Sequence, residues 1–255
     1  MTIRIIICLC LILSTVTLGR RSRIVGGTDA DIREFPYIAS LRKVSTNEHF
    51  CGATIITNWH LLTAAHCFLS ETDKLDMFRV YTGTSNSSDI SGPSYKIAYV
   101  DLHPKYNGKI TPTGSHAHDI AIITVWRPIE FNEFQNKAKL PTRNSLANEK
   151  GYISGWGSKD YPSDETSEQL QKAKMSIVDQ DKCSKMVDFI IKPEQLCAFQ
   201  SIGIGSCIGD SGGPLIINRE VVGISSFNLP CARGLPDIYT DVYNYLDFIL
   251  PHIKM

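Results

Sequence analysis

The 255-residue chain lacks several features that would send its function elsewhere. Its formal net charge is zero, from 26 basic and 26 acidic residues, and no basic run survives beyond the first 23 positions. Proteins that bind phosphate backbones carry such runs or patches, so nucleic acid is excluded as an expected partner. No low-complexity tract and no repeat at a fixed period occurs, which excludes solenoids and blade arrays. No cysteine pair has the CxxC spacing of a zinc site, and no metal or cofactor is expected. After the N-terminus no apolar run approaches the roughly 20 residues needed to cross a bilayer. Helical periodicity is scarce.

At the N-terminus stands "MTIRIIICLCLILSTVTLG", with Arg4, an apolar run from Ile5 to Leu13, and small residues at Thr17 and Gly19. That layout predicts a secretory signal peptide, residues 1–19, cleaved after Gly19. The protein is therefore expected to be secreted and extracellular, without membrane attachment. Arg4, Arg20, Arg21 and Arg23 are the only charges in the first 23 residues, so 22 basic against 26 acidic residues follow, a net of about −4. Cys8 and Cys10 leave with the signal, and Cys51, Cys67, Cys183, Cys197, Cys207 and Cys231 remain. An even number in an exported chain predicts three disulfides, with the pairing open.

Short apolar or alternating runs, broken by Gly, Pro, Asn and Asp, fill the mature region. They include "ATIIT" from Ala53, "MFRVYTG" from Met77, "YKIAYVDL" from Tyr95, "DIAIITV" from Asp119, "GYISGWG" from Gly151, "PLIIN" from Pro214 and "VVGISSF" from Val221. Their length and β-branched content predict strands of an all-β sandwich or barrel. Two helices are expected. One lies at "DQDKCSKMV" with Asp179 or Asp181 as cap; the other is C-terminal, with Tyr245, Ile249 and Ile253 on one face. Ser158 to Gln169 reads as an exposed loop. Asn86-Ser87-Ser88 is a glycosylation sequon.

Chemistry gathers at three residues. A serine hydroxyl at neutral pH is a weak nucleophile and needs a base with a third group to orient it. Ser211 sits in "GDSGGP", His66 in "LTAAHC", and Asp119 opens an apolar run where a buried carboxylate needs dedicated partners. Taken alone, each has an ordinary structural explanation. The order His, Asp, Ser makes the set a candidate for nucleophilic catalysis.

These residues lie in "IVGG" (Ile24 to Gly27), "LTAAHC" (Leu62 to Cys67), "DIAII" (Asp119 to Ile123), "SGWG" (Ser154 to Gly157), "CIGDSGGP" (Cys207 to Pro214) and "PDIYTDV" (Pro236 to Val242). In that order they resemble the trypsin/chymotrypsin family of serine endopeptidases over the whole region from Ile24. The resemblance implies two six-stranded antiparallel β-barrels with the active site between them and a C-terminal α-helix, residues 24–255. It implies Ser211 as nucleophile, His66 as general base and acid, and Asp119 as its orienting carboxylate. The N–H groups of Gly209 and Ser211 would form an oxyanion hole. It also implies the pairings Cys51–Cys67, Cys183–Cys197 and Cys207–Cys231. Residues 20–23 would be a short activation propeptide. A protease cutting after Arg23 would free Ile24 to pair with Asp210, so the protein is expected as a zymogen. Expected partners are protein or peptide substrates, that activator and protease inhibitors, with the protein a monomer. Only Asp89 is acidic in the stretch Thr84 to Pro93, where some relatives hold calcium, so no calcium site is expected. A very short propeptide suits a digestive or venom enzyme better than a cascade protease.

The substrate pocket is read from Gly205, Ser206, Ser226, Phe227, Asn228 and Asp237. Trypsins carry an aspartate where this chain has Gly205, and glycine where it has Asp237. The carboxylate has moved. Either it is tucked against Ser206, leaving a pocket for aromatic or leucine side chains, or it faces the cavity and attracts a basic one. The stretch "SFNLPCARGLPDIYT" resembles insect chymotrypsins, notably those of ants and wasps. Cleavage after Phe, Tyr or Leu is therefore expected. The resemblance places a glycine at Asn228 in most members, and a side chain there would narrow the mouth toward elastase-like or broad preference. A blocked pocket in a protease-like binding or regulatory protein is the other alternative.

Overall fold

The computed structural model describes residues 24–254 except Ser70, Lys109, Pro112, Thr113 and Leu229. The expected signal peptide and propeptide, Arg23 among them, lie outside the described residues.

Six strands in the first half are Ile38–Lys43 (β1), His49–Ile55 (β2), His60–Thr63 (β3), Phe78–Tyr81 (β4), Ser94–Leu102 (β5) and Ala121–Val125 (β6). They close into an antiparallel barrel in the order β1-β2-β3-β6-β5-β4, with β4 returning to β1. Leu41, Ile55, Leu61, Val80 and Ile123 fill its interior without exposure. Burying an aliphatic side chain of this size stabilises by about 1.5–3 kcal/mol, which is why short β-branched runs suffice to close the ring.

The second half repeats the solution with Lys150–Gly155 (β7), Gln171–Val178 (β8), Gln195–Phe199 (β9), Pro214–Ile217 (β10), Glu220–Phe227 (β11) and Asp237–Asp241 (β12). Their order β8-β7-β10-β11-β12-β9 closes through β9 pairing with β8. A two-residue strand, Thr28–Asp29, adds to β8. In β8 the residues alternate between buried and more exposed, as a half-buried strand demands. Ile24 packs into this second core beside Met175 and Tyr239.

Both expected helices are present. Gln180–Val187 (α1) has Asp179 as its cap, accepting from the Lys182 N–H at 3.1 Å. Leu246–Ile253 (α2) follows a 3-10 turn, with Tyr245 and Ile249 buried and Ile253 half-buried. These side chains join Ile38, Leu62, Ile122 and Trp156 in the apolar layer between the barrels. The three disulfides are Cys51–Cys67, Cys183–Cys197 and Cys207–Cys231. Among the described residues no helix is long and apolar enough to cross a membrane.

Candidate active site

Asp119 precedes β6 and is wholly buried. A buried carboxylate needs hydrogen-bond donors, and this one has three. Its Oδ1 accepts the His66 backbone N–H at 2.9 Å, and its Oδ2 accepts His66 Nδ1–H at 2.7 Å and the Ser226 hydroxyl at 2.6 Å. The Thr240 hydroxyl, from β12, donates to its backbone carbonyl at 2.7 Å. Strands of the second barrel thus hold an aspartate of the first.

His66 lies in the 3-10 turn Ala65–Cys67 that follows β3, tied to β2 by Cys51–Cys67. Burial pushes its imidazole down, but the hydrogen bond and charge of Asp119 outweigh burial and leave it above the ordinary histidine value. With Nδ1 donating to Asp119, the neutral ring has Nε2 free as a base.

Ser211 sits in the turn before β10. Its hydroxyl and His66 open onto one cleft of about 370 Å³, lined also by Phe50, Ile208, Gly209, Ser226, Phe227 and Asn228. No hydrogen bond joins Ser211 to His66 here. The backbone N–H groups of Gly209 and Ser211 donate to no acceptor among the described residues, although the neighbouring N–H groups of Asp210, Gly212 and Gly213 all do. Two unpaired N–H groups beside a hydroxyl are what a developing oxyanion requires. Gly209 takes φ +94°, a conformation that disfavours any side chain. Its carbonyl is turned away, accepting from His49 Nε2 at 2.9 Å, while His49 Nδ1 accepts from Ser40 at 2.8 Å. Burial depresses His49 to about 4, so it is neutral and serves as a fixed strut. The sequence reading passed over His49 and Thr240, since nothing local distinguishes a histidine or threonine whose partner lies far along the chain.

Asp210 is buried, its Oδ1 accepting the Gly157 N–H at 2.8 Å and its Oδ2 the Cys207 N–H at 2.9 Å. Burial pushes it up to about 6. A Cβ at Gly155 or Gly157 would run into this carboxylate, which gives "SGWG" its physical meaning. Ile24 is fully buried, and Val25 bridges to Gly205.

The pocket residues depart from a simple slot. Asp237 is tucked inward, its Oδ2 accepting from the Ser206 N–H and hydroxyl, both at 2.7 Å, and from Tyr239 at 3.3 Å. Burial pushes it up to about 7. Asn228 does more than narrow the mouth: its Nδ2 donates to the Ser206 hydroxyl at 2.8 Å. Asn228 lines the 370 Å³ cleft beside Ser226 and Phe227, and its side chain reaches from there to Ser206.

The stretch Thr84 to Pro93 does not fit calcium. The carbonyls of Asn86 and Asp89 accept from the buried guanidinium of Arg42 at 3.2 and 2.6 Å. The Asp89 carboxylate is taken by Ser91 and Thr84.

The Trypsin family profile matches residues 24–249. The chain is 34% identical to a chymotrypsin-2 of Vespa crabro, over 89% of this chain and 98% of that protein. It is 36% identical to a trypsin zeta of Drosophila erecta, over 91% and 84%. Neuropsin, a serine protease expressed in the limbic system of mouse brain, superposes with a TM-score of 0.80 at 27% identity, covering 89% of this chain and 99% of that one.

Proposed function

The chain belongs to the trypsin family of serine proteases, and from that premise we propose that it is a secreted endopeptidase, made as a zymogen and cleaving after apolar residues. One observation carries the reading: a buried Asp119 fixes His66 in the tautomer whose Nε2 opens, with Ser211 and two unused N–H groups, onto a single cleft. In this mechanism Ser211 Oγ attacks the scissile carbonyl and His66 Nε2 takes its proton. The N–H groups of Gly209 and Ser211 hold the oxyanion, and His66 returns the proton to the leaving amine. Water then cleaves the acyl-enzyme by the same relay. The contact between Ser211 and His66 tightens when substrate closes the site, as such contacts do.

The inward Asp237 argues against a basic preference, because its carboxyl is buried, raised to about 7 and turned to Ser206 and Tyr239. The span from Asn228 to Ser206 favours the second reading of the pocket, with Leu and Met ahead of Phe and Tyr. Activation after Arg23 fits the seated Ile24 and a buried Asp210 that has no cationic partner among the described residues.

The test is hydrolysis of peptides differing only in the residue before the cut, by protein processed after Arg23. Apolar residues should lead, and Ser211→Ala should lose on the order of 10⁵ to 10⁶ in kcat. A dominant Arg or Lys preference would refute the specificity. Undiminished hydrolysis by Ser211→Ala would refute the mechanism.

A further inference from the structure

The mechanism above makes no use of Asn86-Ser87-Ser88, the only Asn-x-Ser/Thr triplet in the chain. Such a triplet can accept an oligosaccharide when the chain is exported, provided that the finished fold leaves the asparagine at the surface. The fold meets that second condition. Asn86 and Ser88 are exposed, while Ser87 between them is buried. Asn86 Oδ1 accepts the Ser88 N–H at 2.8 Å and the Ser88 hydroxyl at 2.7 Å. Its Nδ2 donates to no acceptor among the described residues. The main chain is held without that nitrogen: the Asn86 N–H donates to Thr84 Oγ1 at 3.1 Å, and its carbonyl accepts from Arg42 at 3.2 Å. A substituent on Nδ2 therefore displaces no hydrogen bond of the fold.

We propose that Asn86 carries an N-linked oligosaccharide, and that this sugar shelters the two loops that meet beside it. In the transfer, Nδ2 bonds to the anomeric carbon of a lipid-diphosphate-linked oligosaccharide. The bond from that carbon to the diphosphate oxygen breaks, and the lipid diphosphate leaves with the electron pair. One Nδ2 proton passes to a base of the transferase, so no oxidant or reductant is required. The first sheltered loop is Thr84 to Pro93, where the apolar Ile90 is 72% exposed. The second is Ser158 to Gln169, exposed from Pro162 to Glu165. They join at the sequon itself. The Ser87 N–H donates to the Glu168 carbonyl at 2.7 Å, its hydroxyl donates to the Ser167 carbonyl at 2.8 Å, and Asn86 bridges to Gln169. Exposed loops are where proteases nick a fold, and a bulky hydrated sugar at their join hinders that approach.

The inference rests on the export part of the proposed function, so its test reads export and modification separately. The full chain carrying Ser211→Ala, which cannot digest itself, is produced in a eukaryotic secretory host. Protein from the medium and from the cells is weighed by mass spectrometry before and after treatment with a peptide-N-glycosidase. Protein in the medium should carry a sugar mass that the glycosidase removes, leaving aspartate at position 86. The mass should be absent when Asn86→Gln or Ser88→Ala is added, and retained with Ser88→Thr, which preserves the sequon. In the second arm, the folded protein with its sugar and the same protein stripped by the glycosidase are digested with thermolysin. The stripped protein should be nicked within residues 84–93 or 158–169 about threefold faster or more. Equal nicking overturns the sheltering role. Protein in the medium with an unmodified Asn86 overturns the site and leaves export standing. Protein retained in the cells with an unmodified Asn86 overturns both.

Discussion

Asn228 shows how a single side chain sets a limit that its neighbours cannot. Its carboxamide reaches the Ser206 hydroxyl at 2.8 Å, and on the proposed reading this closes the pocket above Gly205. Asn228→Gly should raise kcat/KM toward Phe and Tyr substrates by about tenfold or more while leaving Leu little changed, the scale on which pocket volume discriminates. An unchanged preference would show that the carboxamide swings aside at no cost. Behind it, Asp237 links the pocket to stability. Its folded value of about 7 lies above the 3.8 of a free aspartate. The fold therefore binds the proton more tightly than the unfolded chain. The stability this contributes is complete below about pH 4 and lost as pH rises through 7. Asp237→Asn should gain on the parent as pH goes from 5 to 8, by about 3 °C or more in Tm. A constant difference across that range would show that Asp237 ionises freely. The sequence posed a tucked Asp237 and a mouth narrowed by Asn228 only as alternatives. The candidate set of His66, Asp119 and Ser211 was legible, because each sits in a local motif. The direction of the Asp237 carboxylate and the reach of Asn228 depend on Ser206, 31 and 22 positions away.

Arg42 makes the same point for an element. Strand β1 buries its guanidinium fully, where it donates to Ser40, Asn47 and the carbonyls of Asn86 and Asp89 and stacks over Tyr81 at 4.0 Å. The loop from Thr84 to Pro93 is thus wrapped on a side-chain cation. Replacing it leaves several acceptors buried without donors, so Arg42→Met should cost about 3–5 kcal/mol, read as a fall in Tm of roughly 10 °C. Calcium or EDTA should leave the parent's Tm unchanged; a calcium-dependent rise would show the loop holding an ion after all. Sequence patterning found the strands whose residues are continuously apolar, such as β6 and β10. It passed over β8, where Lys172 and Lys174 interrupt Ala173, Met175 and Ile177, although that alternation is itself the mark of a half-buried strand. It passed over β12 because Asp237 and Asp241 bound an apolar stretch too short to stand out. Both helices were found, since their caps and spacing are local.

At the scale of the molecule, the two barrels meet at a layer that includes Ile38, Trp156 and Ile249, and the residues of the candidate site are divided between them. His66 and Asp119 come from the first, while Ser211, Ser226 and Thr240 come from the second, so the site exists only while the halves are docked. The stretch from Ile24 to Val25 is seated in the second barrel beside Gly205. In the uncut chain the nitrogen of Ile24 is an amide, and Asp210, pushed up to about 6, is a buried carboxylate without a cation among the described residues. Cleavage after Arg23 would turn that amide into an α-ammonium with an ordinary value of about 7.7–8.0. Pairing with Asp210 raises it further. On the ammonium side the stability gained is complete below about pH 8 and fades as pH climbs through the raised value, while in acid it is lost once Asp210 takes a proton. Ser211→Ala protein cut by a separate Arg-specific protease should therefore exceed its uncut form at pH 7 by about 3 kcal/mol, on the order of 5–10 °C in Tm. The difference should shrink toward pH 10. Catalytically intact protein carrying Arg23→Ala should stay nearly inactive under the same treatment, because no ammonium forms to hold Asp210 and the turn of Gly209 and Ser211 in place. Equal Tm before and after cutting, or full activity from Arg23→Ala protein with its Ile24 amide intact, would separate the oxyanion turn from the new terminus.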